Sequence, residues 1–214
     1  MGGEGRAGRG GKRLFIAVDI DDATREQLGG IAARLRTALE PHTKASWVRP
    51  DRMHLTLHFL GAVEDAFEQR VRHALAAPIR EAPFEVTFDG VGWFPEHGSP
   101  RVLWLGVRDG LEPLRRIHAA LATLVGLDTT PVGLDTAPVG LDLSRALPKR
   151  TTEPYTPHLT LARFRDRVSR AKVAGMARIP AVAGPSRIDR VTLYESRLSP
   201  VGPAYVPSAS AVLR

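Results

Sequence analysis

The chain has no cysteine in its 214 residues. Disulfide bonds are therefore excluded, and so are metal sites built on thiolates. Long apolar runs are missing too; none approaches the roughly 20 residues that a membrane-spanning helix needs. Met1 to Lys12 is rich in Gly and Arg and holds no apolar segment, so it reads as a flexible tail and not as a signal peptide. A soluble, cytoplasmic, monomeric protein with no membrane partner is the expectation. Three catalytic signatures are also absent. There is no Gly-x-x-x-x-Gly-Lys-Ser/Thr loop, and the Gly-rich start precedes the first strand instead of following one. No Ser occupies a Gly-x-Ser-x-Gly elbow. His54 and His58 are four apart, but Leu55 stands where a zinc metalloprotease carries Glu, and the segment patterns as strand. Acidic residues are in deficit, 23 against 30 Lys and Arg, for a formal charge of +7. That balance favours a polyanionic partner, although a solvated basic surface accounts for it equally well.

What the chain does have is a pattern of alternating short strands and amphipathic helices. Arg13 to Ile20 is a short apolar run that reads as a buried strand. Asp21 and Asp22 offer a helix N-cap, and Leu28, Ile31, Leu35 and Leu39 follow at helical spacing. Ser46–Arg49 and Met53–Leu60 read as strands, Asp65–Ala76 as a helix, and Phe84–Val91 and Arg101–Val107 as an antiparallel pair. Leu111 to Leu124 repeats the helical spacing. Thr156–Phe164 is a strand, Ser169–Ala177 a short helix, and Val191–Leu198 and Tyr205–Leu213 are closing strands. The order predicts an α+β fold of two similar halves, each an antiparallel sheet with outer helices, meeting at a central cleft. Residues 13–214 then form one bilobal unit. Within it Gly126 to Leu143 stands apart. It carries a tandem heptapeptide with Gly and Pro in each copy, which reads as a loop lengthened by duplication.

The informative feature is a repeated tetrapeptide, His-Leu-Thr-Leu, at His54–Leu57 and again at His158–Leu161. Chance gives about half a His-x-Thr triplet in a chain of this make-up; requiring Leu at both other positions lowers the expectation below about 0.01 per copy. Residues two apart on a strand share a face. His54 and Thr56 therefore point one way and the two leucines the other, and the second copy does the same with His158 and Thr160. Two imidazoles suit a reaction that needs both a proton acceptor and a proton donor, because their ordinary pKa is near 6.5. Two threonine hydroxyls suit the non-bridging oxygens of a phosphodiester. Such a site requires no metal and no cofactor. His58 falls on the His54 face by parity and is assigned a structural or substrate-contacting role. His42, His73, His97 and His118 lack a companion Thr, and His73 and His118 read as solvated helix residues.

With these motifs the chain resembles the 2H phosphoesterase superfamily, and more closely the RNA 2',3'-cyclic phosphodiesterases once described as 2'-5' RNA ligases. The resemblance rests on RLFIAVDI at the start, WVRPDRMHLTLHFLG from Trp47 to Gly61, YTPHLTLARF from Tyr155 to Phe164, and LYESRLSPVGPAY from Leu193 to Tyr205. It implies a bilobal fold with a pseudo-twofold axis and metal-free opening of RNA 2',3'-cyclic phosphate ends to 2'-phosphates. It further implies that His54 is the proton donor, His158 the proton acceptor that activates water, and Thr56 and Thr160 the phosphate ligands. Arg163 matches a family Arg near the substrate phosphate, although strand parity turns it away from His158. Phe15 and Trp47 are candidates for contact with a base or ribose, with a core role equally open. The partner implied is an RNA or oligonucleotide with a cyclic phosphate end. Three alternatives remain at this stage: an enzyme of the same superfamily acting on small cyclic phosphates, one acting on 2'-5' linkages (including reverse ligation), and an RNA-binding module without turnover.

Overall fold

The computed structural model describes residues 11–39, 43–127, 155–197 and 202–214. Most of the Gly/Arg tail and all of the heptapeptide segment beyond Leu127 lie outside the described residues. The apolar run at the start forms β1 (Lys12–Asp19), and helix α1 (Asp22–Leu39) follows it. The Asp21 carboxylate accepts the Thr24 amide at 2.7 Å, which makes Asp21 the cap. Leu28, Ile31, Leu35 and Leu39 form the buried stripe of this helix. Short β2 (Ala45–Trp47) leads through a 3-10 turn at Pro50–Arg52 into β3 (His54–Val63), the first motif strand. Then come α2 (Asp65–Ala74), β4 (Phe84–Phe94), β5 (Val102–Asp109) and α3 (Leu111–Val125). The second motif strand is β6 (His158–Phe164), followed by α4 (Arg170–Met176), β7 (Ala183–Ile188), β8 (Arg190–Arg197) and β9 (Ala204–Val212).

The expectation of two separate sheets is corrected. The strands form one sheet in the order β7-β4-β5-β6-β3-β1-β8-β9, with β2 beside β6. The named strands pair antiparallel throughout. What joins the halves is a narrow seam where β3 meets β6 through one residue pair, Leu55 with Leu159. Hydrophobic patterning reports which face of a strand is buried but not which strand edges meet, so the seam could not be read in advance. Helices α1 and α4 lie together on the β7-β4 side, while α2 and α3 lie on the β3-β9 side. Strand β7 is not among the strands expected from the sequence; it carries Gly184 and Pro185. It is an edge strand, where a proline costs no ladder bond. No helix among the described residues is long and apolar enough to cross a membrane.

Candidate active site

Leu55 and Leu159 are 1 % and 0 % exposed, so both motif strands send their leucines into the core at the seam. Alternation then places His54, Thr56, His158 and Thr160 on the opposite face, where all four are half-buried. In an antiparallel pair, residues on a diagonal of one face lie about 7–8 Å apart. The Leu55–Leu159 register gives His54 and His158 that diagonal relationship, which suits a phosphate between their rings.

Each imidazole is held in the same way. His54 Nδ1 lies 2.9 Å from the Arg52 carbonyl oxygen, and His158 Nδ1 lies 2.8 Å from that of Thr156. A carbonyl can only accept, so Nδ1 donates in both cases and the neutral ring presents an unprotonated Nε2. Aromatic neighbours fix the ring planes. Phe15 stacks on His54 at 4.8 Å between centroids, and Tyr205 meets the same ring edge-on at 5.2 Å. Phe94 meets His158 edge-on at 4.9 Å, and Trp104 lies 6.0 Å away.

The charges around the two rings differ. Burial among the aromatic rings pushes both imidazoles below their ordinary pKa, and the carbonyl acceptors oppose it. At His54 the next influence is the Asp19 carboxylate, which favours the imidazolium, with Arg25 acting the other way. Asp19 pairs with His54 across β1 and β3 and is held by the Tyr194 hydroxyl at 2.7 Å and the Thr192 hydroxyl at 3.3 Å. At His158 the charged neighbour is Arg163, which disfavours the imidazolium.

Arg163 thus sits close enough to act on His158, against the parity expectation. The reason is a bulge in β6. Trp104 pairs with Thr160 but Leu103 pairs with Ala162, so Leu161 is an extra residue. Leu161 and Ala162 are both fully buried, and Arg163 emerges on the face of His158 and Thr160. Nothing in the alternation of Leu161-Ala162-Arg163 announces this.

The remaining candidates divide. Phe15 is 3 % exposed; it is a core ring that also backs His54. Trp47 is half-buried beside β6, opposite Ala162, and packs against the core. His58 Nε2 bonds to the His118 carbonyl at 2.7 Å, and its ring stacks on that of His118 at 4.1 Å. His118 in turn stacks on Tyr155 at 4.1 Å with the planes 4° apart. The expectation of a solvated His118 is therefore corrected, while His73 is exposed. Helical position showed that His118 has charged neighbours in sequence, but not that the turn before β6 folds over it. Tyr205, Phe94 and Trp104 also went unassigned from sequence, since each reads as ordinary strand filling.

A profile of the 2'-5' RNA ligase superfamily matches residues 20–199. An Archaeoglobus fulgidus protein named RNA 2',3'-cyclic phosphodiesterase is 30 % identical over 195 residues, which cover 90 % of this chain and 96 % of the relative. A Thermus thermophilus protein of the same name is 30 % identical over 202 residues, covering 90 % and 86 %. Among solved structures, TT0787 of Thermus thermophilus superposes with a TM-score of 0.68 at 29 % identity, over 94 % of this chain and 98 % of its own. E. coli LigT complexed with 3'-AMP gives 0.66 at 26 % identity, over the same shares.

Proposed function

Since this chain belongs to the 2'-5' RNA ligase superfamily, we propose that it hydrolyses terminal 2',3'-cyclic phosphates on RNA to 2'-phosphomonoesters. Water attacks phosphorus in line with the bond to O3', and that bond breaks. His158 takes the proton from water through Nε2, and protonated His54 delivers one to O3'. Thr56 and Thr160 hydrogen-bond the non-bridging oxygens, with Arg163 adding positive charge on the same face. Both proton transfers come from imidazoles, so the reaction as written needs no metal ion and no cofactor. The names of the relatives support the reaction, and the charge of +7 suits an RNA substrate.

The observation that carries this reading is geometric: two imidazoles, each clamped through Nδ1 by a backbone carbonyl, stand on a diagonal of one face at the seam. Burial lowers both; against it Asp19 favours the charged form of His54, while Arg163 adds to it at His158, which supports His54 as acid and His158 as base. A pseudo-twofold relation between the halves belongs to the same reading. It is supported by the matching strand sequence outward from the seam, two helices for each half, and the identical carbonyl clamps.

The test uses an oligonucleotide ending in a 2',3'-cyclic phosphate. The wild-type protein should produce a 2'-phosphate end, and His54→Ala and His158→Ala should each lose at least about 10²-fold in kcat while keeping the native circular dichroism spectrum. Full activity in either variant, or tight binding with no product from the wild type, overturns the proposal.

A further inference from the structure

Strand β6 does not end at the two histidines. The Leu55–Leu159 pair sets Thr160 opposite His54, so β6 beyond Thr160 runs out past His54. There β2 takes over from β3 along the same edge of β6, with Ser46 opposite Arg163. The ladder goes one step further than the strands, because the Arg165 amide donates to the Lys44 carbonyl at 3.0 Å. Phe164 turns into the core, so Arg163 and Arg165 share the face of Thr160, and Ser46 and Lys44 lie beside them on it. The Ser46 hydroxyl holds Arg165 there by accepting from its Nε at 2.8 Å.

Lys44, Arg163 and Arg165 are all exposed, and none of the three pairs with a carboxylate among the described residues. Elsewhere exposed arginines such as Arg49, Arg108, Arg115, Arg190 and Arg197 each meet one. Like charges directly opposite on neighbouring strands repel, so Lys44 facing Arg165 costs stability unless an anion lies between them. A hydroxyl as the holder of Arg165 leaves its charge uncompensated. Arg163 and Arg165 stand about 6.6 Å apart along the strand, similar to the step between successive phosphates of an extended nucleic acid. In the reaction proposed above, on which this inference rests, O3' departs toward His54. The ribose, and any chain attached through its 5' carbon, therefore lie on the His54 side, where these cations stand. We propose that Lys44 and Arg165 hold internal phosphodiesters of an RNA strand while Arg163 serves the cyclic phosphate. The protein then acts on the ends of a polymer in preference to a cyclic mononucleotide.

The test compares a 2',3'-cyclic mononucleotide with a tetranucleotide ending in the same cyclic phosphate, across a series of salt concentrations. The wild-type protein should favour the tetranucleotide in kcat/KM, and that preference should fade as salt rises. The double variant Lys44→Ala/Arg165→Ala should lower the ratio of tetranucleotide to mononucleotide kcat/KM about 2- to 30-fold at low salt, the effect of two exposed ion pairs. It should also flatten the slope of log KM against log salt for the tetranucleotide by about 1.4, the value for two contacts with a single strand. Lys44→Arg should retain the wild-type ratio. Arg115→Ala/Arg190→Ala removes the same net charge from residues that already have carboxylate partners, and should leave the ratio in place. A wild-type ratio near one, a ratio unmoved in Lys44→Ala/Arg165→Ala, or an equal fall in Arg115→Ala/Arg190→Ala overturns the track alone. A wild-type protein that hydrolyses neither substrate overturns the phosphodiesterase reading and this inference with it.

Discussion

The hydroxyl of Tyr155 donates to the carbonyl oxygen of Thr56 across 3.0 Å, so the turn before the second motif strand is tied to the middle of the first. The same phenol ring stacks on His118 of α3. Tyr155→Phe keeps the stack and removes the bond, leaving the Thr56 carbonyl without that donor. The expected loss is about 1 kcal/mol, or about 2–4 °C in Tm for a chain of this length, with kcat reduced more than KM is changed. Thermal melts and initial rates on one preparation check both outcomes.

The unequal charges beside the histidines set the pH profile. The rate should follow a bell, rising as His158 loses its proton and falling as His54 loses its own. Removing the anion in Asp19→Asn destabilises the His54 imidazolium, so the alkaline limb should move to lower pH. Removing the cation in Arg163→Ala relieves His158, so the acid limb should move to higher pH, and KM should rise through the lost phosphate contact. Profiles of kcat between pH 4 and 9 distinguish these shifts; limbs that stay in place in both variants would remove the basis for the acid and base assignments.

Chelation provides a third check. The two Nδ1 atoms are engaged with backbone carbonyls, and no group of three or more His, Cys, Asp or Glu side chains comes together for a metal among the described residues. Turnover should persist after dialysis against EDTA. Loss of activity that added zinc restores would overturn the metal-free scheme.

A fourth prediction concerns stability. Glu68 is 3 % exposed and accepts from Lys12 at 2.8 Å and from Arg72 at 3.0 Å, which ties β1 to α2. Lys12 foremost, then Arg72, hold its carboxyl below the ordinary value of 4.5 against the opposing effect of burial. A depressed folded pKa means that this group stabilises the fold above about pH 4.5 and that its contribution is lost as pH falls through the folded value. Glu68→Gln should cost about 1.5–3 kcal/mol at pH 7, and the gap from wild type should narrow on acidification. Urea melts at pH 7 and at pH 3 measure the change.

Legibility from sequence followed what local pattern encodes. The motif strands, the four helices and the cap at Asp21 were readable because periodicity and capping are properties of neighbouring residues. The pairing of Leu55 with Leu159 was not, since it joins residues far apart in the chain. Arg163 was misdirected by strict alternation, because the bulge at Leu161 depends on how β5 registers against β6. His118 and Tyr155 became a pair only through the docking of α3. In each miss a long-range contact overrode a correct local rule.

The clamps on the two imidazoles have a consequence for how such a site can arise. Each acceptor carbonyl belongs to the residue two places before its own histidine. The choice of which nitrogen bears hydrogen is therefore made within three consecutive residues, while the aromatic neighbours from other strands hold the ring planes. A copied segment of this kind arrives with its proton already in the right place. A two-histidine centre then needs two such segments to meet within a setting of aromatic rings that holds them, and distant residues such as Asp19 and Arg163 set one copy apart from the other.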